Sequence, residues 1–185
     1  MGKLTFLLGG ARSGKSSCAQ RLAKERGGRV LLIATATPGD SEMAARILQH
    51  QKERPAGWAT REIPLGVAAA LNAAPPQADI ILLDCLTMLV NNLLLQDSTD
   101  EIDEAAASLR VENEITSLSE LIRESRAEWL IVSNEVGLGL VPPYPLGRSY
   151  RDLLGRANQQ LAAFADEVFW MVAGIPVPIH AYRLK

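Results

Sequence analysis

The stretch Gly9-Gly10-Ala11-Arg12-Ser13-Gly14-Lys15-Ser16 decides the fold of this 185-residue chain. It matches G-x-x-x-x-G-K-[ST], the pattern of phosphate-binding P-loops. The apolar run Leu4 to Leu8 precedes it and is typical of a strand. Ser17 to Arg26 follows with an apolar face at helical spacing, and Gly27-Gly28 gives a stop signal. A strand, a glycine loop and a helix are the context in which this motif binds a nucleoside triphosphate. The alternative is a glycine-rich turn with an incidental lysine.

Three side chains carry the expected phosphate chemistry. Lys15 is expected to reach the β- and γ-phosphates, and the hydroxyl of Ser16 is expected to hold Mg²⁺. Asp84 ends an apolar strand, which is where P-loop proteins keep a second acidic residue. At the carboxyl edge of the sheet it would face the loop and hold the same ion, directly or through water. The alternative for Asp84 is a strand-ending aspartate that begins a turn.

The composition indicates one globular domain over residues 1–185. Hydrophobic residues make up 48% of the chain and charged residues 22%, which is typical of a folded domain. The net charge of −2 gives no basic footprint for a nucleic-acid partner. Cys18 and Cys85 lie far apart in apolar segments, so we expect buried thiols in a reducing compartment and no metal site.

The sequence predicts neither a targeting segment nor a membrane segment. The apolar run at its beginning is too short for a secretory signal. The longest apolar run, Ile80 to Leu95, is interrupted by Asp84, Asn91 and Asn92, so we expect no membrane span or anchor. A cytoplasmic protein is therefore predicted.

The rest of the chain alternates between strand-forming and helical segments. Further strands are predicted at 29–35, 58–63, 79–84, 129–134, 167–173 and 177–184. Further helices are predicted at 42–54, 65–74, 86–96, 98–126 and 146–166. Several of the strands are apolar on both faces, as in parallel sheets, so the pattern predicts an α/β sandwich around a mostly parallel sheet. Gly and Pro near residue 175 predict a hairpin, which would make the last strand antiparallel.

The helix predicted at 42–54 carries an unusual face. Met43, Arg46, Ile47, His50 and Arg54 fall within about a third of its circumference. The two apolar residues would dock the helix, leaving two arginines that flank an imidazole. Such a line suits a triphosphate, and a neutral imidazole can attack phosphorus. The alternative is a solvated basic face with a surface histidine, and spacing alone favours that alternative. Glu62, near the end of the strand predicted at 58–63, is a further candidate polar contact.

A second polar segment follows the strand predicted at 129–134. Asn134 to Gly139 lies at the edge where α/β sheets bind ligands, and its glycines suit a substrate loop. Arg148 and Arg151 open the next helix and would meet a phosphate. Alternatively, Arg148 pairs with Asp152 at i+4, which is the favoured interpretation.

Together these segments resemble the bifunctional adenosylcobinamide kinase / adenosylcobinamide-phosphate guanylyltransferase family of cobalamin synthesis. The resemblance covers nearly the whole chain. It rests on GGARSGKS at 9–16, IAT at 33–35, D-x-E-M-A-A-R-I at 40–47 with a histidine three residues on, R-P-x-x-W at 54–58, D-C-L-T-x-x-x-x-N at 84–92, N-E-V-G-x-G-x-V-P at 134–142 and R-D-x-x-G-x-x-N-Q-x-L-A-x-x-A-D-E-V at 151–168. Residues 95–104 are less distinctive, and nothing is carried over there.

The resemblance implies a P-loop NTPase fold of the RecA-like type, a three-layer sandwich with a mostly parallel sheet. It also implies that the guanylylated histidine of the family is His50, which reverses the preference stated above for that helix. Guanine-nucleotide contacts are implied for Gly9, Gly10, Ala11, Arg12, Ser13, Gly14, Lys15, Ser16, Ala34, Thr35, Ala36, Gln51, Lys52, Glu53, Arg54, Glu62 and Asp84.

The implied activity has two steps. Adenosylcobinamide is phosphorylated with ATP or GTP, and GMP then passes from GTP through a guanylyl-histidine to the phosphate, giving adenosylcobinamide-GDP. The implied cofactor is Mg²⁺, and the implied assembly is a homo-oligomer, a trimer. Two rival interpretations are a P-loop kinase of a small metabolite, which needs no His50, and a non-enzymatic GTP-binding switch. Covalent labelling by α-labelled GTP separates all three.

Overall fold

A computed structural model describes residues 2–52, 54–96 and 103–183. The strands are β1 (Leu4–Gly9), β2 (Val30–Ala34), β3 (Ala59–Glu62), β4 (Ile80–Asp84), β5 (Glu128–Asn134), β6 (Glu167–Val172) and β7 (Ile175–Pro178). The helices are α1 (Lys15–Arg26), α2 (Ser41–Lys52), α3 (Val67–Ala73), α4 (Leu86–Leu95), α5 (Glu104–Glu124) and α6 (Pro145–Phe164), followed by a short 3₁₀ helix, His180–Tyr182.

The strands form one sheet in the order β3-β2-β4-β5-β1-β6-β7. Every neighbouring pair is parallel except β6 and β7, which form an antiparallel hairpin. Helical crossovers between parallel strands are the connections that such a sheet requires. The predicted α/β architecture, its mostly parallel sheet and the antiparallel last strand are therefore confirmed.

Helices cover both faces of the sheet, which makes three layers. On one face α3, α4, α5 and α6 pack against side chains such as Phe6 and Leu83. On the other face α1 packs through Cys18, Ala19 and Ala23 against residues such as Leu7. Because alternate residues of a strand point to opposite faces, a strand covered on both sides must be apolar throughout. This explains the continuous apolar runs in the sequence.

The carboxyl ends of the parallel strands meet at one edge of the sheet. Ala34 is in register with Glu62 on one side and with Asp84 on the other. Gly9, the last residue of β1, is in register with Asn134 of β5. The P-loop, the start of α4 and the connections to α2 therefore leave the sheet at a common level.

Two predicted boundaries differ from the structure. The helix predicted at 98–126 spans Glu104–Glu124, with the Asp103 carboxylate accepting from the Ala106 N–H at 3.0 Å as its cap; residues 98–102 lie outside the described residues. The strand predicted at 177–184 is instead Ile175–Pro178, so the prediction that His180 lies in a strand is wrong. Proline lacks the N–H that a ladder needs, and the chain turns into the 3₁₀ helix two residues after Pro178.

Within the described part of the chain, the structure contains no helix that is both long and apolar enough to cross a membrane.

Candidate functional site

The P-loop connects β1 to α1 and is braced by the hairpin of β6 and β7. Gly14 has φ +93°, a conformation that favours glycine, and a Cβ there would lie 3.1 Å from the Cα of Gly174. The Gly174 N–H donates to the carbonyl of Ser13 at 3.0 Å. Gly10, Ala11 and Arg12 are exposed on the outer turn of the loop. The hairpin therefore fixes one side of the loop, and the outer turn of the loop is exposed to solvent.

Lys15 lies at the mouth of this loop, at the first residue of α1. Its ammonium donates to the carbonyls of Gly9 at 3.0 Å and Gly10 at 2.6 Å. Burial lowers the pKa of Lys15, against the opposing influence of Cys85 and Asp84. Because the Lys15 ammonium is partly buried, it has lost part of its hydration. Its attraction for a phosphate is therefore only weakly screened by water.

Asp84, at the end of β4, faces the P-loop. Burial raises the pKa of this carboxyl, while a hydrogen bond from Ser16 and the charges of His50, Lys15 and Arg54 act in the opposite direction. Ser16 and Asp84 therefore place a hydroxyl and a carboxylate oxygen together at the carboxyl edge of the sheet. The predicted juxtaposition of these two residues is what the structure contains.

Oxygen ligands of this kind fit Mg²⁺ better than softer metals. Among the described residues no group of three or more His, Cys, Asp or Glu side chains could hold a metal by itself. Mg²⁺ usually keeps several waters and binds through one or two protein oxygens and substrate phosphates. Ser16 and Asp84 are suited to that mode of binding, in which a triphosphate supplies further oxygens.

Helix α2 carries His50 to the same edge. The Asp40 carboxylate accepts from the Met43 N–H at 2.7 Å and caps the first turn. Met43 and Ile47 are half-buried, as predicted for a docking face, and His50 is exposed. The charge of His50 acts on the carboxyl of Asp84, which places the imidazole on the P-loop side of α2. The side chain of Arg46 and the whole of Glu53 lie outside the described residues.

The end of α2 is tied to the end of β3. The Glu62 carboxylate accepts from the Gln51 amide at 3.0 Å and from Nη1 of Arg54 at 3.4 Å. The Arg54 side chain is largely buried and its charge also reaches Asp84. Lys52, the last residue of α2, is exposed. Arg54 thus connects Glu62 electrostatically to the P-loop side of the site.

The end of β2 is tied to the beginning of α4. Ala34 and Thr35 are buried and Ala36 is half-buried. The Thr35 hydroxyl donates to the carbonyl of Cys85 at 2.7 Å and accepts from the Cys85 N–H at 3.0 Å. This pair fixes the chain beside Asp84, so the Ala34–Ala36 segment borders the site through its backbone.

Cys85 is half-buried, so the prediction that both cysteines are buried is wrong for this residue. It lies at the junction of β4 and α4, where the chain leaves the sheet toward the site. Burial, and secondarily the charge of Asp84, raises the pKa of its thiol to about 11. The thiol is therefore neutral at ordinary pH.

A buried polar network that the sequence did not reveal positions Asn134. Its N–H donates to the Thr87 hydroxyl at 2.8 Å, and its carbonyl accepts from the Asn158 amide at 3.0 Å. Ser133 donates to the other end of the same amide at 2.7 Å. Asn158 is a buried polar residue on the apolar side of α6. A polar residue among apolar ones at helical spacing is the sequence signal that points to such a network.

The predicted pairing of Arg148 with Asp152 is wrong. Arg148 donates to the carbonyl of Pro142 at 3.1 Å, whereas Asp152 lies 3.9 Å from Nε of Arg151. Long side chains on a helix lean toward its amino end, which carries Arg148 back to the preceding loop. A phosphate contact by either arginine remains a prediction.

Comparison with known proteins gives a consistent result. The family described as cobinamide kinase / cobinamide phosphate guanyltransferase matches residues 5–179. The chain is 43% identical over 174 residues to the bifunctional adenosylcobalamin biosynthesis protein CobP of Pseudomonas aeruginosa, covering 94% of this chain and 95% of that one. It is 42% identical over 180 residues to the bifunctional adenosylcobalamin biosynthesis protein CobU of Salmonella typhimurium, covering 95% and 99%. The CobU protein of Escherichia coli is 41% identical with the same coverage.

Proposed function

The chain belongs to the cobinamide kinase / cobinamide phosphate guanyltransferase family, and from this premise we propose how its own residues carry out the two reactions. It is an enzyme of adenosylcobalamin biosynthesis with kinase and guanylyltransferase activities. The finer assignments concern the residues at the carboxyl edge of the sheet.

In the kinase reaction the P-loop binds ATP or GTP, and the γ-phosphoryl group passes to the hydroxyl of adenosylcobinamide. The backbone N–H groups of the loop and the amino end of α1 cradle the phosphates. Lys15 neutralises charge on the β- and γ-phosphates. Transfer to a hydroxyl needs positioning and charge stabilisation and no covalent intermediate on the protein.

In the guanylyltransferase reaction His50 is the nucleophile. Its imidazole attacks the α-phosphorus of GTP, an N–P bond forms, and pyrophosphate leaves. The phosphate of adenosylcobinamide phosphate then attacks the same phosphorus, the N–P bond breaks, and adenosylcobinamide-GDP forms with His50 regenerated. Two displacements replace one difficult transfer, while Lys15 and Arg54 stabilise charge on the phosphates.

The observation that carries this proposal is the position of His50. Its charge and that of Lys15 both act on Asp84, the carboxylate that Ser16 contacts. Although the imidazole is exposed, it lies close enough to the half-buried carboxyl of Asp84 for the two groups to interact. When bound between Ser16 and Asp84, Mg²⁺ would supply positive charge to the phosphate oxygens.

The test is incubation with α-labelled GTP in the absence of acceptor. We expect covalent label on the wild type that is labile in acid and stable in alkali, as a phosphoramidate is. His50→Ala should lose the label and keep kinase activity. His180→Ala is the matched control, because His180 bonds to the Val168 backbone in the 3₁₀ segment, and it should be labelled normally. Label retained by His50→Ala would exclude the mechanism.

Three expectations accompany this proposal. Residues 1–185 act as one kinase and guanylyltransferase domain, which the single sheet supports. The enzyme acts in the cytoplasm, and it forms a homo-oligomer, a trimer, as the family resemblance implies. Light scattering on the purified enzyme checks the assembly.

A further inference from the structure

A groove with a volume of about 410 Å³ lies beside α2, at the same edge of the sheet as the site. Its lining includes Met88, Asn91, Asn92 and Leu95 of α4, Met43 of α2, and Leu65 after β3. We call it the α2–α4 groove. Ligands of α/β sheets bind outside the carboxyl ends of the strands, and none of the roles assigned above uses this space.

A second cavity, about 450 Å³ in volume, lies at the amino ends of β2, β3 and β4. Its charged side chains are already engaged: Arg29 pairs with Asp79, and Arg61 donates to the carbonyl of Ala74. This cavity lies at the opposite ends of the strands from the site. Because its charged side chains are already paired, it offers fewer polar contacts to a ligand than the α2–α4 groove.

The lining of the α2–α4 groove is largely apolar. It also includes Thr37, which donates to the Asn92 amide oxygen at 3.3 Å, and Asp40, which accepts from the Met43 N–H at 2.7 Å. Met43 and Met88 are flexible, polarisable side chains that adapt to an irregular apolar surface. Asn92 is fully used, since its amide donates to the carbonyls of Thr35 at 2.8 Å and Pro64 at 3.0 Å. Among the described residues, the neighbouring Asn91 amide has no hydrogen-bond partner. It can give a ligand both a donor and an acceptor.

The groove and His50 lie along one face of α2. Met43 and His50 are seven residues apart, which is close to two helical turns and a rise of about 10 Å. The two ends of this face differ in chemistry. The Met43 end lines the groove together with the Asn91 amide of α4, whereas at the His50 end the cations Lys15 and Arg54 act with His50 on the carboxyl of Asp84.

We propose that the α2–α4 groove binds the corrin body of the acceptor, while the phosphate-bearing arm runs along α2 to His50. The identity of the acceptor rests on the proposed function. A corrin acceptor of this kind has a largely apolar macrocycle fringed by primary amides and one arm that ends in a phosphate. Its two ends match the two ends of the α2 face, and Asn91 pairs with a peripheral amide through two complementary hydrogen bonds.

Two variants in the groove test this assignment. Leu95→Lys puts a charge where the apolar macrocycle would pack, and Asn91→Leu removes the amide while keeping a similar volume. We expect the KM for adenosylcobinamide phosphate to rise about tenfold in Leu95→Lys and severalfold in Asn91→Leu. Covalent labelling by GTP without acceptor should stay at the wild-type level in both. Leu109 is another exposed leucine, on α5, so Leu109→Lys is the control and should change neither.

Equilibrium dialysis of cobinamide, followed by its visible absorbance, measures acceptor binding without any turnover. Weaker binding in both groove variants, with normal thermal melting, supports the proposal. An unchanged affinity and KM in both variants would overturn it. A loss of GTP labelling in the groove variants would also overturn it, because the groove would then position α2. A wild type that is never labelled would count against the proposed function, and dialysis would still decide the groove.

Discussion

The amide of Gln51 donates to the carboxylate of Glu62 at 3.0 Å, which ties the residue after His50 to the last residue of β3. Arg54 approaches the same carboxylate at 3.4 Å. One exposed acid therefore holds both the end of α2 and the arginine that follows it.

Glu62→Ala should slow the guanylylation of His50 more than it affects the kinase reaction. Without the carboxylate, Gln51 and Arg54 lose their shared partner and the end of α2 is less well placed. We expect a decrease in the labelling rate of about threefold to tenfold, measured with α-labelled GTP. Glu112→Ala on the exposed face of α5 is the control. Equal losses in both reactions would mean that Glu62 has no selective role in positioning His50.

Lys15→Ala should abolish the use of triphosphates without loss of the fold. Removing a preorganised charge from a phosphate site costs about a hundredfold to a thousandfold in rate. Because burial lowers the pKa of Lys15, its charged form is disfavoured in the folded protein, and the stability contributed by this group increases as pH rises toward 10.5. At neutral pH the variant should therefore melt at or above the wild-type temperature. Kinase turnover and thermal melting are the two measurements, and normal turnover would refute the assignment.

Asp84→Asn should weaken the response of both reactions to Mg²⁺. An amide oxygen lacks the charge that a hard cation prefers, so the Mg²⁺ concentration that gives half-maximal rate should increase. Burial raises the pKa of Asp84, so ionisation costs the folded protein stability above that pKa and costs none below 3.8. Asp84→Asn removes this cost, and we expect an unchanged or higher melting temperature at pH 7. A Mg²⁺ titration identical to that of the wild type would return Asp84 to a structural role.

Cys85 should resist alkylation until the solution is strongly alkaline. Its pKa is raised from 9.0 to about 11 by burial and by Asp84. Only the thiolate reacts, so about 1% of Cys85 is reactive at pH 9, where a thiol of pKa 9.0 is half ionised. In a Cys18→Ala background, the rate of reaction with iodoacetamide should rise tenfold per pH unit up to about pH 11. A plateau near pH 9 would show that the thiol is not shielded.

The strands and the P-loop could be predicted because their signals are local. Apolar runs covered on both faces, such as Leu4 to Leu8, are unambiguous once a fixed glycine spacing follows them. The grouping of Ser16 with Asp84 followed from the parallel register, since strand ends of one sheet meet at one edge. The family resemblance added His50, which spacing alone did not favour.

Other features depend on tertiary placement that no local pattern encodes. Asn158 reaches Asn134 because α6 lies over β5, and only the folded structure brings them together. Cys85 is half-buried because it lies between β4 and α4, where the chain leaves the sheet beside the site. Arg148 turned to Pro142 because a loop carbonyl was within its reach. The last strand is predicted to begin two residues after its actual start at Ile175, because the prolines of β7 are residues that usually argue against a strand.

The hairpin that braces the P-loop has a consequence for how the enzyme folds. The motif at residues 9–16 is continuous in sequence, yet β1 is flanked by β5 and β6, and Gly174 bonds to Ser13 across the chain. Contacts between distant residues close only after a large loop entropy has been overcome. A fragment that ends before β5 should therefore contain the complete motif and still bind no nucleotide, and the nascent chain gains its phosphate site only when nearly all of it has been synthesised.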